Sequence, residues 1–536
     1  MPSTPTTKSQ VQAYRFVLRR MQSALVRRDS VMLHDPMRTH GRATMVGVII
    51  AALGLVGFVI FGLISPSPSV PSAPGIVIGK QSGTIYVVSG NPVSLTPTFN
   101  LASARLLLMS QSQGGASAPA DAEVVPDDSL KDIPHNRRTG IVDGPQLLPS
   151  ADQRIDDNWA VCDQVIVNKN LPQSIQLQQS TSETTVLAGV SGLGTALSED
   201  QAILAAADNG KYYLIYKTAA SDDPNNPTPN TVRAEVDPTQ QAVVSTFHLN
   251  GAPRRHISTG LLNAIPQVSP LVPPTIPDIG GTSGFAQLQA EGLKNGNVFA
   301  VNSVSGSRDV YVLLPTGIQK VSDAVGDLIR AAQSGSTNIP QVSPNEINNV
   351  RIIQPNDADA LPVGSMPAQV PTILDPTVST SACLGWTVQD NKPQTTVYVG
   401  SATPVPSGVK PVDVNQPGPN GLKVDKFYMP PGRGAVVQSA TSADTFGKGP
   451  MSLVTDNGLR YGIPDANTLK GLGLDNPAPR PAPESIISLL PTGTSLNTVD
   501  AAKSYDDIPV AANAGTYPSV QPSQSSSAGT TGSSGN

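Results

Sequence analysis

One uncharged run of 21 residues, Thr44 to Ile64 (TMVGVIIAALGLVGFVIFGLI), constrains this chain more than any other feature. At about 1.5 Å per residue such a run crosses the roughly 30 Å hydrocarbon core of a bilayer. It leaves 43 residues before it and 472 after it, and the two stretches then lie on opposite sides of a membrane. The first 43 residues carry eight cations (Lys8, Arg15, Arg19, Arg20, Arg27, Arg28, Arg38, Arg42) and only Asp29 and Asp35 as acids. After the span the first basic residue is Lys80. That asymmetry predicts a cytoplasmic N-terminus and an exterior C-terminal region. A cleaved signal peptide fits poorly, because its basic region would be too long and its apolar run exceeds the usual length.

The net charge of −5 conceals a split. Setting aside the eight cations and two acids of the tail leaves 27 basic and 38 acidic residues outside, a balance of −11. An acidic exterior argues against nucleic acid as its ligand, and the basic tail is explained by an anionic inner leaflet. Gly and Pro together account for 98 of 536 residues, which favours strands joined by many turns over long helices. The expected fold is α+β and rich in β, with an exterior long enough for several domains.

Residues 6–30 read as an amphipathic helix, with Ser9 and Gln12 as a possible capping box. Val11, Tyr14, Leu18, Met21 and Leu25 recur at helical spacing, and Arg15, Arg19, Arg27 and Arg28 lie between them. Two readings stay open: a helix lying on the membrane surface, or a docking helix for a cytoplasmic partner. Asp35-Pro36 is expected to end it before the span. Ala43, Gly47 and Ala51 place small residues at four-residue spacing, a pattern that lets the span pack closely on another helix. Ser65–Pro74 reads as a stiff spacer, and the Ser/Gly-rich Thr516–Asn536 as disordered.

Between these ends four segments share one shape, a β run, a Gly turn and a second β run: 76–90, 203–216, 310–323 and 452–465. Asn-Gly at 209–210 and 457–458 is a strong hairpin signal. Ser322-Asp323 and Pro464-Asp465 each precede an apparent helix start. Cys162 falls between the first two copies and Cys383 between the last two, with the Pro-rich 264–278 at the join. The simplest account is two similar halves related by a rough two-fold and tied at the centre by one disulfide. Two cysteines in an exterior domain usually pair, and two free redox thiols would lack a Cys-x-x-Cys motif. Trp159 and Trp386 each lie three residues from a cysteine, so indoles and disulfide are expected to share a buried core.

The boundaries that follow are 1–43 for the tail, 44–64 for the span and 65–74 for the linker. The exterior divides into a first repeat (75–112), the first segment of a central domain (113–200), a second repeat (201–262) and a Pro-rich connector (263–284). A third repeat (285–342), the second segment of the central domain (343–433), a fourth repeat (434–500) and a C-terminal tail (501–536) complete it.

Catalytic motifs are scarce. No G-x-x-x-x-G-K-[ST] is present; the Gly-Lys pairs at 79, 210 and 447 are followed by Gln, Tyr and Gly. No G-x-S-x-G or H-E-x-x-H occurs, and no metal-ligand spacing stands out. His34 and His40 belong to the juxtamembrane tail, and His248 and His256 read as surface residues. The Gly-rich stretches 189–195 and 430–434 read as turns, and Asp127-Asp128 and Asp156-Asp157 as solvated loops.

Several long strings resemble one family in order. They are TTKSQVQAYRFVLRRMQSALVRRDSVMLHDPMR (6–38), FNLASARLLL (99–108), NWAVC (158–162) with the distant Cys383, GLLNAIPQVSPLVPPTIPD (260–278), VYVLLPTGIQKV (310–321) and GLRYGIPDA (458–466). The chain resembles EccB, the single-span membrane-core subunit of the actinobacterial type VII (ESX) secretion system. The resemblance implies an inner-membrane location and an elongated periplasmic region, with four repeat domains around a central β domain holding the Cys162–Cys383 disulfide. It implies EccC, EccD, EccE and further copies of the chain as partners, with Val11, Tyr14, Arg15, Leu18 and Arg19 on the partner-binding tail. The family is often labelled an ATPase, which would make ATP a ligand. With no phosphate loop, the reading is a structural subunit without a cofactor. An ATP-hydrolysing subunit and a cell-envelope-binding module are the alternatives.

Overall fold

A computed structural model describes residues 7–28, 36–64, 70, 74–111, 121–177, 179–218, 231–302, 306, 308–333, 338–419 and 421–508. Most of the Ser65–Pro74 spacer and all of Thr516–Asn536 lie outside the described residues. The chain divides into two compact units, residues 1–70 with 124–130, and the remainder.

The first unit contains two helices. Lys8–Arg27 starts at Thr7, whose N–H donates to Gln10 Oε1 at 2.9 Å. The capping pair is therefore Thr7 and Gln10, not Ser9 and Gln12; Ser9 already lies inside the helix. Arg28, with φ of +50°, stops it in the left-handed region. The second helix, Pro36–Ile64, begins eight residues before the apolar run. Pro36 opens it as the first helical residue, where a missing N–H costs nothing. The stretch His40–Gly62 is long and apolar enough to cross a membrane.

In the second unit each hairpin found in the sequence belongs to a larger repeat. Three antiparallel strands are followed by a helix. They are Gly75–Gly79, Ile85–Ser89 and Ser94–Thr98, then helix Leu101–Gln111, in repeat one. Repeat two has Gln201–Ala207, Tyr212–Lys217 and Thr231–Val236, then Gln241–Thr246. Repeat three has Val298–Asn302, Arg308–Leu314 and Gly317–Val321, then Asp323–Ala332. Repeat four has Gly434–Ala440, Met451–Thr455 and Arg460–Ile463, then Ala466–Gly471. The segments 76–90 and 203–216 are thus strands one and two of their repeats, whereas 310–323 and 452–465 are strands two and three. A three-strand meander holds two hairpins, so a hairpin signal matches it at either of two offsets.

The helices start where side chains satisfy the first free N–H groups. Asn100 Oδ1 accepts from Ser103 N at 2.8 Å, Ser322 Oγ from Val325 N at 3.2 Å and Asp465 Oδ1 from Thr468 N at 2.8 Å. After the helix, repeats two, three and four send a short strand back parallel to the first strand: Arg255–Ile257, Gln341–Val342 and Arg480–Pro483. In all four repeats the third strand gains a short parallel partner on its other edge, at Thr139, Gln267, Ile352 and Thr492. These additions cover edges that would otherwise be free.

The central sheet draws on both halves of the chain. Its order is Val412–Asp413, Lys426–Tyr428, Thr181–Ala188, Trp159–Ile166, Ser381–Gln389, Lys392–Gly400 and Thr195–Ala196. Two antiparallel pairs, 159–188 and 381–400, meet along Trp159–Ile166 and Ser381–Gln389, with Cys162 directly opposite Cys383. The disulfide thus sits on an approximate two-fold axis relating the halves. The repeats are exchanged across this axis. Ala102 and Leu106 of repeat one share a core with Leu469 and Leu472 of repeat four. Val243 and Phe247 of repeat two share one with Val325, Leu328 and Ile329 of repeat three. Repeats two and four cover the face of the central sheet that carries Trp159, Val161, Leu384 and Trp386.

Candidate functional site

The tail candidates lie on one helix. Val11, Tyr14, Leu18, Met21 and Leu25 fall at spacings of three and four in Lys8–Arg27, and no residue of that helix is buried. Arg15 and Arg19 lie on the same helix. Ala43, Gly47 and Ala51 share one face of Pro36–Ile64 by their spacing, and a Cβ added at Gly47 would meet nothing within 4 Å.

Cys162 and Cys383 are bonded across a sequence separation of 221 residues and are 0% and 1% exposed. The two-residue turn Asp390-Asn391, both with positive φ, sets the register of the second pair. Counting from that turn puts Cys383 in a hydrogen-bonded pair with Tyr398, and hence in a non-hydrogen-bonded pair with Cys162, where side chains come closest. Trp159 and Trp386 are also directly opposite and buried. They do not share the disulfide's core, however. An offset of three along a strand reverses the face, so the indoles pack among Val161 and Leu384 while the sulfurs pack with Leu187, Leu193 and Tyr428.

A polar node that matches no catalytic motif lies beside the disulfide. Asp163 is fully buried. Its carboxylate accepts from Ser258 N at 2.7 Å, Ser258 Oγ at 2.8 Å and Thr184 Oγ1 at 2.8 Å. Ser258 in turn caps helix Thr259–Ala264 through Leu261 N at 3.1 Å. Arg255, 2% exposed, donates Nη1 to Thr380 O at 3.1 Å and Nη2 to Ser379 O. Burial pushes the Asp163 carboxyl up, against its hydrogen bonds and Arg255. Burial likewise brings the Arg255 guanidinium down to about 10, with Asp163 opposing. The node ties repeat two and the start of Ser381–Gln389 to the sheet centre. The available signal was an acid directly after a cysteine in a strand that opens on four apolar residues (WAVCDQVI).

The remaining candidates have ordinary structural roles. His256 Nε2 lies 2.9 Å from Asp208 Oδ1, both half-exposed. Gly189, Gly194 and Gly432 all have positive φ in turns. Asp157 and Asp156 pair with Arg480 of repeat four. Among the described residues no group of three or more His, Cys, Asp or Glu could hold a metal. Two shallow depressions adjoin the paired tryptophans, one lined by Arg154 and Arg480, the other by Asn158, Gln394 and Tyr398, and neither has room for more than a water or two.

Comparison with known proteins adds the wider context. Residues 3–510 match the family model described as "Type VII secretion system ESX-1, transport TM domain B". The chain is 29% identical over 528 residues to the ESX-3 secretion system ATPase EccB3 of Mycobacterium tuberculosis, covering 94% of this chain and 90% of that one. It is 29% identical over 513 residues to the ESX-1 secretion system ATPase EccB1 of Mycolicibacterium smegmatis, covering 95% and 97%. Its fold is similar to a chain of the intact ESX-5 inner membrane complex, with a TM-score of 0.65, 24% identity and coverage of 97% and 99%. It is also similar to a chain of the EccB3 dimer from the ESX-3 core complex, with a TM-score of 0.62, 24% identity and coverage of 80% and 100%.

Proposed function

The chain belongs to the EccB family of the type VII (ESX) secretion system, and on that premise we propose that it is a structural, single-span subunit of an ESX inner-membrane complex. The tail lies in the cytoplasm, the span packs through Ala43, Gly47 and Ala51, and the exterior assembles in the periplasm. Its partners are EccC, EccD, EccE and further copies of itself. The observation that carries this reading is the helix Pro36–Ile64, the one helix among the described residues long and apolar enough to cross a membrane, with eight cations on or before it and an acidic balance after it. Such charge placement orients a single span with its basic side inward.

Relatives carry the word ATPase in their names. ATP hydrolysis by the exterior is therefore the second reading. The sequence offers it no Lys-bearing phosphate loop. The tail tests the structural reading. Replacing Arg15, Arg19 and Arg20 by Glu reverses the charge beside Val11, Tyr14 and Leu18. The triple variant is expected to insert and fold its exterior but to lose at least about tenfold in recovered partners on native purification, the equivalent of about 1.4 kcal/mol. Undiminished recovery of every partner contradicts the proposed role of the tail.

A further inference from the structure

Helix Lys8–Arg27 leaves its apolar side uncovered: none of its residues is buried among the described residues. At about 3.6 residues per turn, Val11, Tyr14, Val17, Leu18, Met21 and Leu25 fall on one side of the axis, and Ala13 and Ala24 continue that side. Tyr14 is 66% exposed and Leu25 81%. Phe16 and Val26 are the large apolar residues left outside this face. The cations take its two borders. Lys8, Arg15 and Arg19 run along one, Arg20 and Arg27 along the other. Arg28 adds a sixth positive charge, and no acid occurs from Thr7 to Arg28.

Charge and reach decide what covers such a face. A protein groove that matched it would need acids along both rims, whereas a layer of anionic headgroups supplies negative charge on every side. Arg and Lys keep their charged ends among headgroups while their methylene stems lie over the acyl boundary. The tether is short. Residues 28–35, eight in all, join Arg27 to Pro36, where the spanning helix begins. Fully extended, they reach about 30 Å, so the helix end stays close to the bilayer that the span crosses. We propose that, in the subunit before its partners are bound, this helix lies flat in the surface of the anionic inner leaflet with its apolar face among the upper acyl chains. The inference rests on the cytoplasmic placement of the tail proposed above. It goes beyond that placement by naming a phospholipid surface as the occupant of the face.

The chain lends itself to a single-label test, because Cys162 and Cys383 are bonded to each other and buried, and an introduced cysteine is then the one free thiol. Full-length protein would carry a nitroxide on Leu25→Cys, within the apolar face, or on Ser23→Cys, on the opposite side of the helix. Each would be reconstituted sparsely, without partners, into vesicles with the same lipids in both leaflets. In phosphatidylcholine–phosphatidylglycerol vesicles the Leu25→Cys label is expected to be shielded from a water-soluble nickel chelate and open to dissolved oxygen, and the Ser23→Cys label the reverse. In phosphatidylcholine alone the shielded population is expected to fall at least about tenfold. Adding Arg15→Gln, Arg19→Gln and Arg20→Gln to Leu25→Cys should bring about the same loss in the anionic vesicles. Because both leaflets are alike, a reversed insertion leaves these results unchanged, and protease access to the tail reports the orientation separately. A Leu25→Cys label open to the chelate in anionic vesicles, or shielding indifferent to lipid charge, would overturn the proposal. So would shielding with dipolar coupling between labels, which would give the face to a second copy.

Discussion

Asp163 shows how much a single buried carboxyl can decide. It lies where the central sheet, repeat two and the strand leading to Cys383 meet, and it serves three donors at once. Its carboxyl is raised above the ordinary 3.8 by burial. Between 3.8 and that higher value the folded chain holds a proton the unfolded chain has released. This group therefore favours folding at acid pH, and its contribution is lost as pH rises through the folded value. Denaturant midpoints of wild type and Asp163→Asn across pH 4 to 8 should differ by this slope, which the variant lacks. Asp163→Ala, which leaves the buried Ser258 N–H without its acceptor, is expected to cost about 1–3 kcal/mol. A cost under about 1 kcal/mol would mean that water replaces the carboxylate and that the node is not a structural tie. Little of this was legible beforehand. An acid after a cysteine in a strand that opens on four apolar residues signals burial, but its partners at 184, 255 and 258 come from elements that only the fold brings together.

Among the elements, strand pairs and helix starts were legible. Gly turns and alternating apolar residues marked hairpins in all four repeats, and Ser322 and Asp465 marked helix N-termini before any geometry was known. The offset between copies was not legible, because a meander contains two similar hairpins and only the following helix distinguishes them. Period-two alternation could have separated the tryptophans from the disulfide, since three residues along a strand change faces. The turn Asp390-Asn391 shows how local backbone sets long-range register. Asn391 holds φ of +59°, a region that β-branched side chains resist. Asn391→Ile is expected to lower stability by roughly 1–2 kcal/mol, while Asn391→Gly stays within about 0.5 kcal/mol of wild type. Equal midpoints for both variants would show that strand pairing, and not the turn, fixes the alignment of Cys383 with Cys162.

At the scale of the whole molecule, the larger compact unit is two halves that complete each other. The first half supplies repeats one and two, the second repeats three and four, and each half's first repeat packs on the other's last. Repeats one and three each bury a small core of their own, but the cores between the repeat helices are completed only by the other half. Segments 71–284 and 285–508, produced together, should therefore assemble and become joined through Cys162–Cys383, while either alone should remain unfolded or aggregate. Non-reducing electrophoresis and circular dichroism read this directly, and an independently folded half would contradict the exchange. Replacing both cysteines by Ala should cost on the order of 5 kcal/mol in the loop-entropy model, given a separation of 221 residues. The two-fold was visible in the order of hairpins and cysteines. The exchange of repeats was not, because it depends on which helix faces meet. The account as a whole rests on membership of a membrane assembly. It is tested most directly by purifying the tagged full-length protein from its own membranes in a gentle detergent, with mass spectrometry of what accompanies it. A large particle containing EccC, EccD and EccE is the result predicted. Recovery of the protein alone, with ATP turnover that persists in its purified exterior, would contradict it and favour the enzyme.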